Sequence, residues 1–106
     1  MNRREKLEAL LQGSPEDSFL HYALAMQFAS DGEEEQARLR LQALVERDPH
    51  YVPAYFQWGQ LLAKTDDRSQ TESVLSRGIE AARRVGDDHA EGEMRAFLQQ
   101  FLESGS

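Results

Sequence analysis

The sequence predicts an all-α chain of antiparallel helix–turn–helix repeats, about six helices in all. Three observations point there. Apolar residues recur at helical spacing from one end to the other, and no segment alternates apolar and polar residues for long enough to argue for a strand. The apolar positions also repeat at an offset of 34 residues, with Pro15 matched by Pro49. A chain of 106 residues, 40% hydrophobic and 29% charged, has the size and mix of one globular domain with its own core.

The elements follow in order. Leu7, Leu10 and Leu11 form the apolar stripe of a first helix. Ser14-Pro15-Glu16-Asp17 reads as the start of a second, with Ser14 as cap, Pro15 in the first turn and Asp17 reaching back. That helix is expected to run to about Ser30, where Asp31-Gly32 breaks it. Glu33, Glu34 and Glu35 open a third, because negative charge is favoured by the exposed N–H groups of a first turn. It carries Ala37, Leu41, Leu44 and Val45 on one face and ends at Asp48-Pro49, since a residue before proline is pushed out of the helical region. A fourth helix holds Tyr55, Trp58, Leu61 and Leu62 and turns at Thr65-Asp66-Asp67. The fifth carries Val74, Leu75, Ile79 and Ala82 up to Gly86, a left-handed cap. Asp87-Asp88 begin the sixth, with Met94, Phe97, Leu98, Phe101 and Leu102 as its apolar members and Ser104-Gly105-Ser106 as a frayed end. Glu34–Arg38, Glu80–Arg84 and Glu91–Arg95 have the spacing of helical ion pairs with the acid first.

The repeat sets the architecture. The 34-residue offset carries Leu7 to Leu41, Leu10 to Leu44 and Leu11 to Val45, then Leu24 to Trp58, Ala25 to Gly59, Phe28 to Leu62 and Leu41 to Leu75. His21-x2-Leu24-Ala25-x2-Phe28 and Tyr55-x2-Trp58-Gly59-x2-Leu62 match the pattern W-x2-L-G-x2-Y. Ala37-x3-Leu41 and Thr71-x3-Leu75 follow its later A-x3-F, and Pro49 closes the first unit where Arg83 stands in the second. On these residues the chain resembles the tetratricopeptide-repeat (TPR) family, and within it small stand-alone bacterial proteins. The resemblance implies a right-handed α-solenoid with full units at 18–51 and 52–85, an N-terminal half-repeat or cap at 1–17 and a C-terminal cap helix at 86–103. Its structural core is expected at Leu24, Ala25, Phe28, Ala37, Leu41, Leu44, Pro49, Tyr55, Trp58, Gly59, Leu62, Leu75 and Ile79. Ala25, Gly59 and Ala37 are small so that paired helices can approach, and Gly78 reads as a further small packing position.

Function follows from the same comparison. The resemblance implies a protein-binding scaffold that holds a peptide in the groove lined by the first helix of each unit. A stripe rotated from the core stripe places Phe19, Tyr22, Met26, Phe56, Gln60 and Lys64 there, with Met94 and Phe97 or Leu98 added by the last helix; aromatic and methionine side chains suit such a surface. The cationic clamp by which similar units hold acidic chaperone tails is missing, since Tyr22, Met26, Phe56, Gln57, Gln60, Ala90 and Glu91 occupy its positions. The alternative reading is a self-associating scaffold in which Trp58, Phe97, Phe101 and Leu102 are shared across a homodimer.

Other functions are disfavoured. Cysteine is absent, which excludes disulfides and thiolate chemistry and fits a cytoplasmic location. A net charge of −7 argues against nucleic acid, and no apolar run reaches the ~18 residues of a membrane span. His21, His50 and His89 have no ligand-like neighbours, so no metal or cofactor is expected. The aspartates fall at turns, and no catalytic or phosphate-cradling motif appears, so an enzyme with an unrecognised site is the least favoured reading.

Overall fold

The structure of the chain, a computed structural model, describes residues 1–104. The frayed end expected at Gly105 and Ser106 lies outside the described residues. Six helices are present among the described residues: α1 (Arg3–Gly13), α2 (Ser18–Ser30), α3 (Glu34–Arg47), α4 (Val52–Leu62), α5 (Arg68–Val85) and α6 (Asp88–Ser104). Each packs on the next in chain order, and α4 also touches α6 directly. The radius of gyration is 14.1 Å, above the ~13 Å of a compact chain of this size, as a stack that grows along one axis requires.

Local chemistry starts and stops these helices. Asn2 and Glu5 form a reciprocal capping box on α1. The Asp17 carboxylate accepts from the Leu20 N–H at 3.1 Å, and Asp67 does the same for Gln70 at 3.0 Å. Gly86 ends α5 with φ +76°, a conformation that a Cβ would strain. Ser14 is not the cap of α2. It terminates α1, donating its N–H to the carbonyls of Leu10 and Leu11, and Pro15 lies in the turn between the two helices.

The core runs between the helices of each unit. Leu24, Ala25, Phe28, Ala37, Leu41, Leu44, Tyr55, Trp58, Gly59, Leu62, Leu75 and Ile79 are all buried. A Cβ at Gly59 would fall 2.5 Å from Leu75 Cδ2, and one at Gly78 would fall 2.6 Å from both Tyr55 Cβ and Met94 Sδ. Thr71 occupies a small-residue position and satisfies its buried hydroxyl by donating to the Asp67 carbonyl at 2.9 Å.

Several expectations are corrected. Leu10 is 56% exposed, because α1 presents only Leu7 fully to the stack. Pro49 is also exposed; its carbonyl, not its ring, does the structural work by accepting from the Tyr55 hydroxyl at 2.9 Å. Glu34 pairs with Lys64 instead of Arg38, joining the start of α3 to the turn after α4. Glu80 pairs with Arg83 instead of Arg84. Glu91–Arg95 forms as its spacing suggests, and Arg83 joins it from α5.

Candidate partner-binding groove

The first helices of the units, α2 and α4, contain no Asp, Glu, Lys or Arg. Their neutrality leaves their outer stripes apolar. Phe19 is 62% exposed, while Tyr22, Met26 and Phe56 are half-buried. Phe19, Tyr22 and Met26 line one depression of about 350 Å³, with Arg3 of α1 at its edge. Tyr22 also borders a second, of about 240 Å³, whose walls include Val52 and Phe56 of α4 and Asp87 and Glu93 at the start of α6. Tyr22 thus joins two adjoining recesses on the face built from α2, α4 and α6.

Aromatic contacts hold the walls in place. Tyr22 and Tyr51 lie with ring centroids 5.6 Å apart and tilted by 48°. Phe56 meets Phe97 of α6 edge-on at 5.8 Å. Burial pushes the Tyr22 phenol above its ordinary value of 10.0, opposed by a hydrogen bond with Gln57. Burial also raises Tyr51, and the negative charge available to Tyr22, Asp17 and Asp48 adds to the rise. Asp17, the N-cap of α2, and Asp48, the C-cap of α3, are thus the acids nearest in effect to Tyr51, the N-cap of α4.

Two of the expected groove residues stand apart from these recesses. Gln60 is half-buried and Lys64 exposed, and neither lines either depression; Lys64 Nζ is held 2.9 Å from Glu34 Oε2. Met94 is not a groove residue at all. It is fully buried, with its sulfur filling the space that Gly78 leaves. Trp58 is only 3% exposed, so it belongs to the core of this chain and has no surface to share with a second copy.

The residues from α6 were hidden from the repeat offset for a physical reason. α5 has 18 residues where α3 has 14, so α6 no longer follows the 34-residue register. Asp87, His89 and Glu93 reach the groove through that shift. Only their place at a helix start, where acids gather, was visible beforehand.

The histidines stay dispersed. His21 Nε2 lies 2.7 Å from the Pro15 carbonyl, and His89 lies 3.3 Å from Glu93 on the α6 surface. Among the described residues no group of three or more His, Asp or Glu is placed to hold a metal ion. No helix among them is long and apolar enough to cross a membrane.

Comparison with known proteins places this architecture. No protein-family model matches the chain. A TPR repeat-containing protein of Pseudomonas aeruginosa is 30% identical over 95 residues, covering 90% of each chain. The solution structure of a tetratricopeptide repeat domain protein from Salinibacter ruber is similar with a TM-score of 0.78 and 31% identity, covering 82% of this chain and 88% of that one. The solution structure of a protein from Bordetella parapertussis has a TM-score of 0.83 at 26% identity, covering 98% of this chain and 90% of that one.

Proposed function

This chain belongs to the tetratricopeptide-repeat family, and we propose that it is a non-catalytic module that binds a peptide or protein partner on the face formed by α2, α4 and α6. One observation carries the reading. Two charge-free helices in a chain of net charge −7 keep Phe19, Tyr22, Met26 and Phe56 at the surface, around two joined recesses. Isolated exposed hydrophobes are ordinary, but a contiguous aromatic and methionine patch marks a place where another molecule packs. Gln60 of α4 and Lys64, just past its end, complete the proposed partner-binding set from outside the two recesses. We place the module in the cytoplasm, where a cysteine-free chain needs no disulfide.

The double variant Tyr22→Ala/Phe56→Ala tests this. Both side chains are half-buried, so the variant is expected to fold and to lose a partner that wild type retains in a pull-down from the native organism. A variant that folds and captures the same proteins overturns the groove.

A second reading has its own support at the end of the stack. Ile79, Leu98 and Leu102 line a recess of about 450 Å³ between α5 and α6. Self-association through this C-terminal face remains compatible with a buried Trp58. Light scattering over a concentration series separates the two readings, since a strict monomer removes the second.

A further inference from the structure

The recess shared by Tyr22 and Phe56 has an apolar floor and an acidic end. Its volume of about 240 Å³ falls below the ~300 Å³ at which small-molecule pockets begin. It suits one side chain of a longer segment rather than a free cofactor. Val52 and Phe56 supply the apolar wall, and Asp87 and Glu93 stand at the α6 side. Asp87 uses one carboxylate oxygen to cap α6, accepting from the Ala90 N–H at 3.0 Å. Glu93 is met by His89, a cation only when protonated. Among the described residues no Lys or Arg pairs with Asp87 or Glu93; Arg83 and Arg95 are engaged by Glu80 and Glu91, and Arg84, in the last turn of α5, lines a different depression with Tyr55 and Glu80. Asp17 and Asp48 add negative charge beside Tyr51 at the same ends of α2 and α4. An apolar recess bordered by two carboxylates that pair with no Lys or Arg is complementary to a ligand that is apolar and positive at once.

We propose that the occupant of this recess is a peptide segment that places an aliphatic side chain between Tyr22, Val52 and Phe56 and a lysine or arginine against Asp87 and Glu93. This rests on the groove reading and adds the chemistry of the partner. The cation makes two exposed charge contacts, which supply selectivity and salt dependence, while the aliphatic side chain supplies the desolvated contact.

The test uses the full chain, labelled with nitrogen-15, and three pools of short peptides. Each pool has a fixed leucine, with lysine, glutamine or glutamate fixed two residues later and alanine or serine elsewhere. The lysine pool is expected to shift the amides of Tyr22, Phe56 and Glu93 saturably. It should bind about fivefold more tightly than the glutamine pool, an advantage that fades as salt is raised. Asp87→Asn/Glu93→Gln keeps a capping side chain at Asp87 and should remove that advantage, so that the lysine and glutamine pools bind alike. A glutamate pool that binds as well as the lysine pool overturns the cation assignment and leaves the groove standing. If no pool moves these amides, the groove fails with it. Shifts of the same amides with protein concentration alone would make a second copy the occupant and overturn the proposal.

Discussion

The two full units share one frame and fill it differently. In the first, His21 Nε2 meets the Pro15 carbonyl at 2.7 Å; in the second, the Tyr55 hydroxyl donates to the Pro49 carbonyl at 2.9 Å, each 34 residues on. The backbone joint is therefore the same, but His21 is half-buried where Tyr55 is 4% exposed. Tyr55 gains its depth because Gly78 stands opposite, at the position that Leu44 holds in the first unit. Likewise Ala25 and Leu24 give way to Gly59 and Trp58. Volume removed at one position is returned at another, between α5 and α4 in the first case and within α4 in the second, as close packing demands. The surroundings differ as well: α4 is packed by α3 and α5 and touched by α6, whereas α2 lies between α3 and a short α1 that buries only Leu7.

If the second unit is the more tightly determined, truncation there must cost more. Trp58→Ala is expected to lose about 4 kcal/mol and Leu24→Ala, its counterpart, about 3 kcal/mol by urea denaturation. Equal losses would mean that the second unit is no more tightly determined than the first. Gly78→Ala comes next at about 2 kcal/mol, because its methyl group meets Tyr55 Cβ, which moves only with the backbone. Gly59→Ala should cost less than Gly78→Ala, since it meets the far end of Leu75 and gains helix propensity. Gly92→Ala, with nothing within 4 Å of the new atom, should instead stabilise by about 0.5 kcal/mol. Tyr55→Phe removes the bond to Pro49 and should cost about 1 kcal/mol, observable as a small drop in the urea midpoint.

The smallest effect concerns acid. Arg95 foremost, with Arg83, holds the Glu91 carboxyl below its ordinary value of 4.5, against the opposing effect of burial. A lowered folded value contributes stability that is present above 4.5 and lost as pH falls through the folded value. Glu91→Gln should therefore flatten part of the acid limb of a stability–pH curve. An unchanged limb would show that the pairs of Glu91 with Arg95 and Arg83 carry nothing.

Much of the fold was legible because small and large residues recur at one offset, and that offset survives from Leu7 to Leu75. Pro15 illustrates how local reasoning can contradict it. Capping rules made Pro15 a helix start, yet its match to Pro49 already placed it in the turn ahead of a first helix, where it lies. The groove was half legible. Phe19, Tyr22, Met26 and Phe56 follow from rotating the core stripe, but α5 overruns α3 in length and shifts α6, which hides Met94 and brings Asp87 and Glu93 to the recess. Partners chosen across helices, such as Lys64 with Glu34, have no signature in i,i+4 spacing.

The ring-to-proline bond has one more consequence. Donor and acceptor are six residues apart, so each joint is carried by a single short stretch of chain spanning the boundary between two units. A copied block cut at Tyr51 would bring its own closing proline and find its neighbour's ring waiting. The joint is thus a coupling shared by the first two boundaries and absent where Arg83 replaces the proline, so a duplicated 18–51 block would carry its own connection while a duplicated 52–85 block would not.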